Sequence, residues 1–445
     1  MTPDALVLLP GIMGSELFDR EGRLVWGLRP SLLFRGRRLR TIIDRLALSE
    51  GQVDVIRPGE PVRFPNWLPI LDGIEPYKGM IRALEELALR PSAVLAFGYD
   101  WRQSVEHNAR RLRDAVDAHL AAWRETIATM EQSERGNDEP RVTFVCHSMG
   151  GLVARWFATF LDTEQVTRRI ITFGTPFAGS VKAVRLVAAG DILRFGVLAG
   201  PLREAARTMP GVHDLLPTYR CVERNGRVER PTVDDVVALG ATQWLVADAV
   251  GRAAQVSQAT TVGVEIRSMV GVRQPTLSSW TGTGAQTRFL DTIEGNAFAG
   301  DGTVFAASAF LPGQTPGGYL PQKHGRLAGT DEAIAFARAV LDEDELRRFQ
   351  AVDGPGLVVP PSAAVHEPVE LAVTTWEGGS TIVVEDAESG REIDRLTPVR
   401  RDDRRVATTT LHRAGLYRIR LVGGGFSDVT ELLGVMDSGV TREAS

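Results

Sequence analysis

Residues 142–151, Val-Thr-Phe-Val-Cys-His-Ser-Met-Gly-Gly, constrain this chain more than any other stretch. An apolar run of strand character meets a serine, two glycines follow, and an amphipathic pattern carrying Leu152, Val153, Trp156 and Phe157 leaves. A strand that turns sharply into a helix lifts the residue at the turn into open space. A serine hydroxyl needs that placement, since it is a weak nucleophile until a histidine can take its proton. Gly150 lets the outgoing helix pack closely on the strand, and Cys146 stands where a glycine is usual, small enough to be tolerated with some strain. The start of the helix also directs partial positive charge at an oxyanion forming beside Ser148.

If Ser148 is a nucleophile, an acid and then a histidine should follow it in the chain. Of the seven histidines, His324 sits in a loop just before the last helical pattern of the region, where a base can reach the serine. His147 adjoins Ser148 but should point away from it on a tight turn, and the other five fall on solvated, inserted or C-terminal segments. Asp301 lies between Gly300 and Gly302 after a strand pattern, a setting that Asp291 lacks. Such an aspartate fixes the imidazole tautomer and stabilises the imidazolium. Two backbone N–H groups should hold the oxyanion. Met149 supplies one, and Ile12, inside Pro10-Gly11-Ile12-Met13-Gly14-Ser15, supplies the other.

The periodicity fits this frame. Short apolar runs at 5–9, 93–97, 142–146, 170–173 and 262–272 suit strands buried on both faces, and helical patterns fall at 80–89, 105–130 and 330–346. Alternation of this kind predicts an α/β class with a mostly parallel, doubly wound central sheet over residues 1–350. Two insertions, at about 20–75 and 181–260, are long enough to cap a site, and the second is helical in pattern. A Gly/Pro-rich linker at 351–368 precedes a different texture. Period-2 runs at 370–375, 381–385, 405–411 and 416–422, punctuated by glycines, predict a small all-β sandwich over 369–445.

Composition excludes some classes. A net charge of −5 over 445 residues does not suit a general nucleic-acid binder. Two cysteines do not make a disulfide framework, no His/Cys/Asp/Glu group has metal-ligand spacing, and Gly174–Ser180 lacks the lysine of a nucleotide-binding loop. No metal or cofactor is expected, and a cytoplasmic location is. Segment 29–48 alternates arginines with Leu32, Leu33, Phe34, Leu39, Ile42 and Ile43, which fits either a basic amphipathic contact with a membrane or a charged lid packed on the core.

The ordered motifs Pro10–Ser15, Tyr99-Asp100-Trp101-Arg102, His147–Gly151, Gly174–Ser180, Gly300–Val304 and His324-Gly325 resemble those of the lecithin:cholesterol acyltransferase family. The resemblance covers about residues 5–345. It implies an α/β-hydrolase fold, an acyl-serine intermediate, Ser148, Asp301 and His324 as catalytic triad, and Ile12 and Met149 as oxyanion donors. Phe177 is expected at the substrate; Trp101 either lines an acyl pocket or belongs to a buried corner with an Asp–Arg pair. The expected activity is cleavage of lipid carboxylic esters in the manner of a phospholipase or lipase. The alternatives are acyl transfer to an alcohol and a catalytically silent binding protein. The C-terminal β domain is left with an unknown partner.

Overall fold

The computed structural model describes residues 2–33, 38–48, 56–68, 72–132, 139–188, 196–259, 263–297, 299–350, 354–360, 362–374, 379–401, 404–423 and 427–437. At its centre are six strands: β1 (Ala5–Leu9), β2 (Val94–Ala96), β3 (Val142–His147), β4 (Thr167–Phe173), β5 (Glu265–Gly271) and β6 (Gly318–Leu320). Their spatial order is β6-β5-β4-β3-β1-β2, and every neighbouring pair is parallel. Strands β1 and β3 are buried at every position, which is why they read as near-continuous apolar runs rather than alternating ones.

Helices cover the sheet. Helix α1 (Lys78–Leu87) buries Met80, Ala83, Leu84 and Leu87, and α2 (Val105–Ala128) buries a stripe from Val105 to Ile127. Ser104 caps α2 by accepting from the His107 N–H. Helix α3 (Met149–Trp156) leaves β3, and α4 (Asp331–Leu341) packs Phe336 against Phe173. The chain runs from β1 to β2 on one side, then returns to lay β3 on the other side of β1. That reversal is a topological switch point, and the loops after β1 and β3 leave the same edge of the sheet beside each other. Leu9 pairs with Cys146, so Gly11 and Ser148 emerge as neighbours.

Leu24–Trp26 and Arg57–Pro61 of the first insertion flank Ser15–Phe18, just before it, in a small antiparallel sheet, and the insertion also holds a helix, Arg38–Leu46. Leu39, Ile42, Ile43 and Leu46 of that helix are buried in the main core, and the helix packs on Gly196–Arg207 of the second insertion. On this helix the apolar face is therefore turned into the protein. Phe34, Arg35 and Arg37 of the basic segment lie outside the described residues. The second insertion is not wholly helical. Its hairpin Val222–Arg224/Arg227–Glu229 joins Ser279–Thr281 and Arg288–Leu290 in a four-stranded sheet, with Trp280 fully buried.

Beyond residue 354 the chain forms two antiparallel-rich sheets around a separate core that includes Leu357, Leu371, Val384, Ile419 and Leu433. Gly356–Val358 and Ala363–Ala364, expected in a linker, are strands here: each pairs with the sheet it precedes. Strands β7 (Gly415–Val422) and β8 (Val429–Met436) form the long hairpin of this unit. No helix among the described residues is long and apolar enough to cross a membrane.

Candidate active site

Ser148 sits at the end of β3 with φ 51° and ψ −126°, a conformation that non-glycine residues rarely adopt. The register enforces it. Ser148 N–H donates to Phe173 O at 2.9 Å, Thr175 Oγ1 donates to Ser148 O at 2.9 Å, and Gly151 N–H closes the turn on the same carbonyl at 3.0 Å. Gly150 presses on the loop after β1: a Cβ there would lie 2.6 Å from Pro10 O. The sequence needs a glycine at that position for steric reasons.

Three side chains form one line. Ser148 Oγ is 2.8 Å from His324 Nε2, and His324 Nδ1 is 2.7 Å from Asp301 Oδ2. Their residues are 3%, 4% and 1% exposed, so little water competes for these bonds. The second carboxylate oxygen of Asp301 accepts the N–H groups of Thr303 at 2.9 Å and Val304 at 2.6 Å. Each carboxylate oxygen is thus engaged, which fixes the rotamer facing His324. Gly271 and Gly174 make room for the pair, since a Cβ at Gly271 would meet Asp301 Cβ at 2.4 Å and one at Gly174 would meet Asp301 Oδ2 at 2.9 Å. Asp291, the aspartate without the flanking glycines, is exposed.

The loop after β1 is a four-residue turn. Gly14 N–H donates to Gly11 O at 3.0 Å, and Met13 takes φ 64°. The N–H groups of its two central residues, Ile12 and Met13, take no part in closing such a turn. Met149 opens α3, where the first N–H groups have no intrahelical acceptor. Gly11 lies against Ser148: a Cβ on it would stand 2.9 Å from Ser148 Cβ.

Two residues that the sequence reading did not place in the site tie these parts together. His147 does not face Ser148. Its Nε2 is 2.9 Å from the carbonyl oxygen of His324, and its Nδ1 is 2.8 Å from Tyr77 Oη. Because a carbonyl only accepts, Nε2 carries the proton and Nδ1 accepts from the tyrosine O–H. The tyrosine oxygen in turn accepts the Gly11 N–H at 2.9 Å. Burial, with the neighbouring His324, pushes the His147 pKa well below its ordinary value, so its ring is neutral. Burial pushes the Tyr77 hydroxyl above its ordinary value, so its proton stays in place. One directed chain therefore runs from the loop after β1 to the backbone of His324.

The two expected substrate contacts differ. Trp101 is fully buried, edge-on to Trp26 at 5.9 Å, beside the Asp100–Arg102 pair closed at 2.7 Å. The corner with its Asp–Arg pair is formed, and Trp101 is part of it. Phe177 is half-buried, two residues beyond Thr175, under the Arg155 guanidinium at 5.7 Å. Cys146 and Cys221 are both buried and free, and no group of three or more potential metal ligands occurs among the described residues.

A parallel sheet with its switch point at β1/β3 and a strained serine turn between β3 and α3 defines an α/β-hydrolase fold. The chain belongs to the lecithin:cholesterol acyltransferase family, whose profile matches residues 57–293, more than half of its length. That span includes Ser148 and ends before Asp301 and His324. The human lysosomal phospholipase A and acyltransferase is 30% identical over 142 residues, 31% of this chain and 31% of that protein. The match therefore spans about a third of its relative's length. Among solved structures, the Tle4–Tli4 complex is similar at 15% identity and a TM-score of 0.47, over 79% of this chain and 100% of that one. The Bacillus licheniformis lipase BlEst2 in its propeptide form is similar at 13% identity and a TM-score of 0.37, over 97% of this chain and 73% of that one. Those superpositions are loose; the strand order β6-β5-β4-β3-β1-β2 is what defines the fold.

Proposed function

We propose that the protein is a serine hydrolase that cleaves lipid carboxylic esters through an acyl-serine intermediate. The observation that carries this reading is the buried line from Ser148 through His324 to Asp301. His324 Nε2 takes the Ser148 proton as Oγ attacks the ester carbonyl. The carboxylate of Asp301 holds the Nδ1–H tautomer and stabilises the imidazolium. The negative charge that forms on the carbonyl oxygen is held by the N–H groups of Met149 and Ile12, and each such donor contributes about 3–4 kcal/mol of transition-state stabilisation. His324 then protonates the departing alcohol, and water, activated by the same imidazole, releases the acid. No step needs a metal or a cofactor. Membership of the acyltransferase family and the likeness to a human protein with phospholipase A in its name favour a lipid as substrate.

That same name includes an acyltransferase, so the acyl-enzyme has a second outlet: an alcohol in place of water. Both outlets share every step up to the intermediate. Fatty-acid release from phosphatidylcholine and phosphatidylglycerol liposomes, wild type against Ser148→Ala, tests the reading. The substitution should lower turnover by roughly 10⁶-fold, and undiminished release by a clean Ser148→Ala preparation refutes the mechanism. Adding a long-chain alcohol and looking for a new ester separates the two outlets.

A further inference from the structure

The proposed base, His324, lies in a four-residue segment, 322–325, that is held on both sides by groups tied to the C-terminal β unit. On the upstream side, Gln322 is fully buried. Its Oε1 accepts the Thr430 N–H at 2.9 Å and the Lys323 N–H at 2.9 Å, and its Nε2 donates to Asp428 O at 2.8 Å. Lys323 pairs with Glu431 at 3.1 Å, both side chains largely buried. On the downstream side, Gly325 O accepts the Glu75 N–H at 3.2 Å, and the Glu75 carboxylate is gripped by Arg418 through Nε at 2.5 Å and Nη2 at 2.9 Å. Gly325 fits so closely that a Cβ would lie 1.7 Å from Gly73 O. Thr430, Asp428, Glu431 and Arg418 all belong to β7, β8 or the turn between them.

The apolar packing runs the same way. Val429, Leu433 and Val435 of β8 fill the core between the two C-terminal sheets, while Leu432 and Met436 join the core of the α/β unit. Alternate side chains of one strand thus serve two cores, as the two faces of a strand allow. Gly73 and Gly434 make the contact close: Cβ atoms there would meet Leu432 and the Trp67 ring within 2.5 Å. This face is an intramolecular joint.

We propose that the C-terminal β unit is a positioning element of the acyl-transfer site, which clamps segment 322–325 so that His324 stays on Ser148. The inference rests on the functional reading above. Gln322, Lys323, Glu431, Glu75 and Arg418 are positioning residues on this view: they touch neither Ser148 nor the ester. A misplacement of about 1 Å at a reacting group costs on the order of 10²-fold in rate, so a loosened clamp should appear in kcat before KM.

The test uses the full chain and a short soluble ester, with wild type, Ser148→Ala, Arg418→Gln, Arg418→Lys and the exposed control Arg401→Ala. Arg418→Gln should lower kcat roughly 10- to 100-fold with KM little changed, and should slow serine labelling by a fluorophosphonate in proportion. Arg418→Lys should recover part of both, and Arg401→Ala should change neither. If Arg418→Gln does not fold, Glu431→Gln carries the same test through Lys323. A folded clamp variant with wild-type kcat and labelling rate overturns the proposal. Failure of the functional reading looks different: there the wild type itself is not labelled, or Ser148→Ala stays active.

Discussion

Tyr77→Phe removes a single oxygen that two buried groups depend on. The Tyr77 hydroxyl accepts the Gly11 N–H at 2.9 Å and donates to His147 Nδ1 at 2.8 Å, and the tyrosine is 4% exposed. Phenylalanine fills the same space apart from the oxygen, and the gap it leaves is too small for a water molecule. Two buried polar groups then lack partners, each at about 1–3 kcal/mol, for a loss of about 2–6 kcal/mol. Against a total stability of about 5–15 kcal/mol, that is a large fraction. Urea unfolding should show a lower midpoint with an unchanged slope. Because Gly11 precedes Ile12, turnover of a short ester should fall as well. A variant within about 0.5 kcal/mol of wild type would show that the directed chain from Gly11 to His324 is not formed, and with it the tautomer assigned to His147.

Three further outcomes are expected. Asp301→Asn should keep the fold and lower kcat by roughly 10⁴-fold, because an amide facing His324 Nδ1 favours the wrong tautomer; steady-state kinetics on a soluble ester checks it. Gly11→Ala should abolish fluorophosphonate labelling, since its methyl would stand 2.9 Å from Ser148 Cβ and 3.0 Å from His147 Nδ1. The third concerns pH. Burial pushes His213 down to about 4 from 6.5. Below pH 6.5 the unfolded chain takes up a proton that the folded chain refuses, so stability is full above that pH and falls as pH drops toward 4. His147, also held low, contributes with the same sign. Replacing His213 by leucine should make the stability lost between pH 7 and pH 5 smaller by about 2 kcal/mol, read from urea midpoints; an unchanged loss refutes the assignment.

The sequence made the frame of the site readable because its constraints are local. A serine between a strand and a helix, an aspartate between glycines and a histidine before the last helix each carry their own neighbourhood, and the structure brings the three side chains into one line. What could not be read depends on pairs far apart in the chain. Tyr77 and His147 are separated by 70 positions, His147 and the carbonyl of His324 by 177, and neither separation leaves a pattern. Periodicity revealed that Leu39, Ile42 and Ile43 share a helix face without revealing that the face meets the core rather than a lipid. The second insertion read as helical because its helices are longer than its three-residue strands. One local signal was available for the joint with the C-terminal unit: Val-Thr-Glu-Leu-Leu-Gly-Val-Met at 429–436 has apolar residues on both faces, as a strand packed on two sides must.

The joint also has a consequence for biosynthesis. Asp301, His324 and the six strands of the central sheet all leave the ribosome before β8 exists, and about a hundred residues separate His324 from Val429. At translation rates of about 5–20 residues per second, the sheet has on the order of ten seconds in which to fold without its clamp. On the proposal made here, a nascent chain would pass through a stage with its nucleophile in place and its base loosely held, and would gain full reactivity only when the β7–β8 hairpin docks.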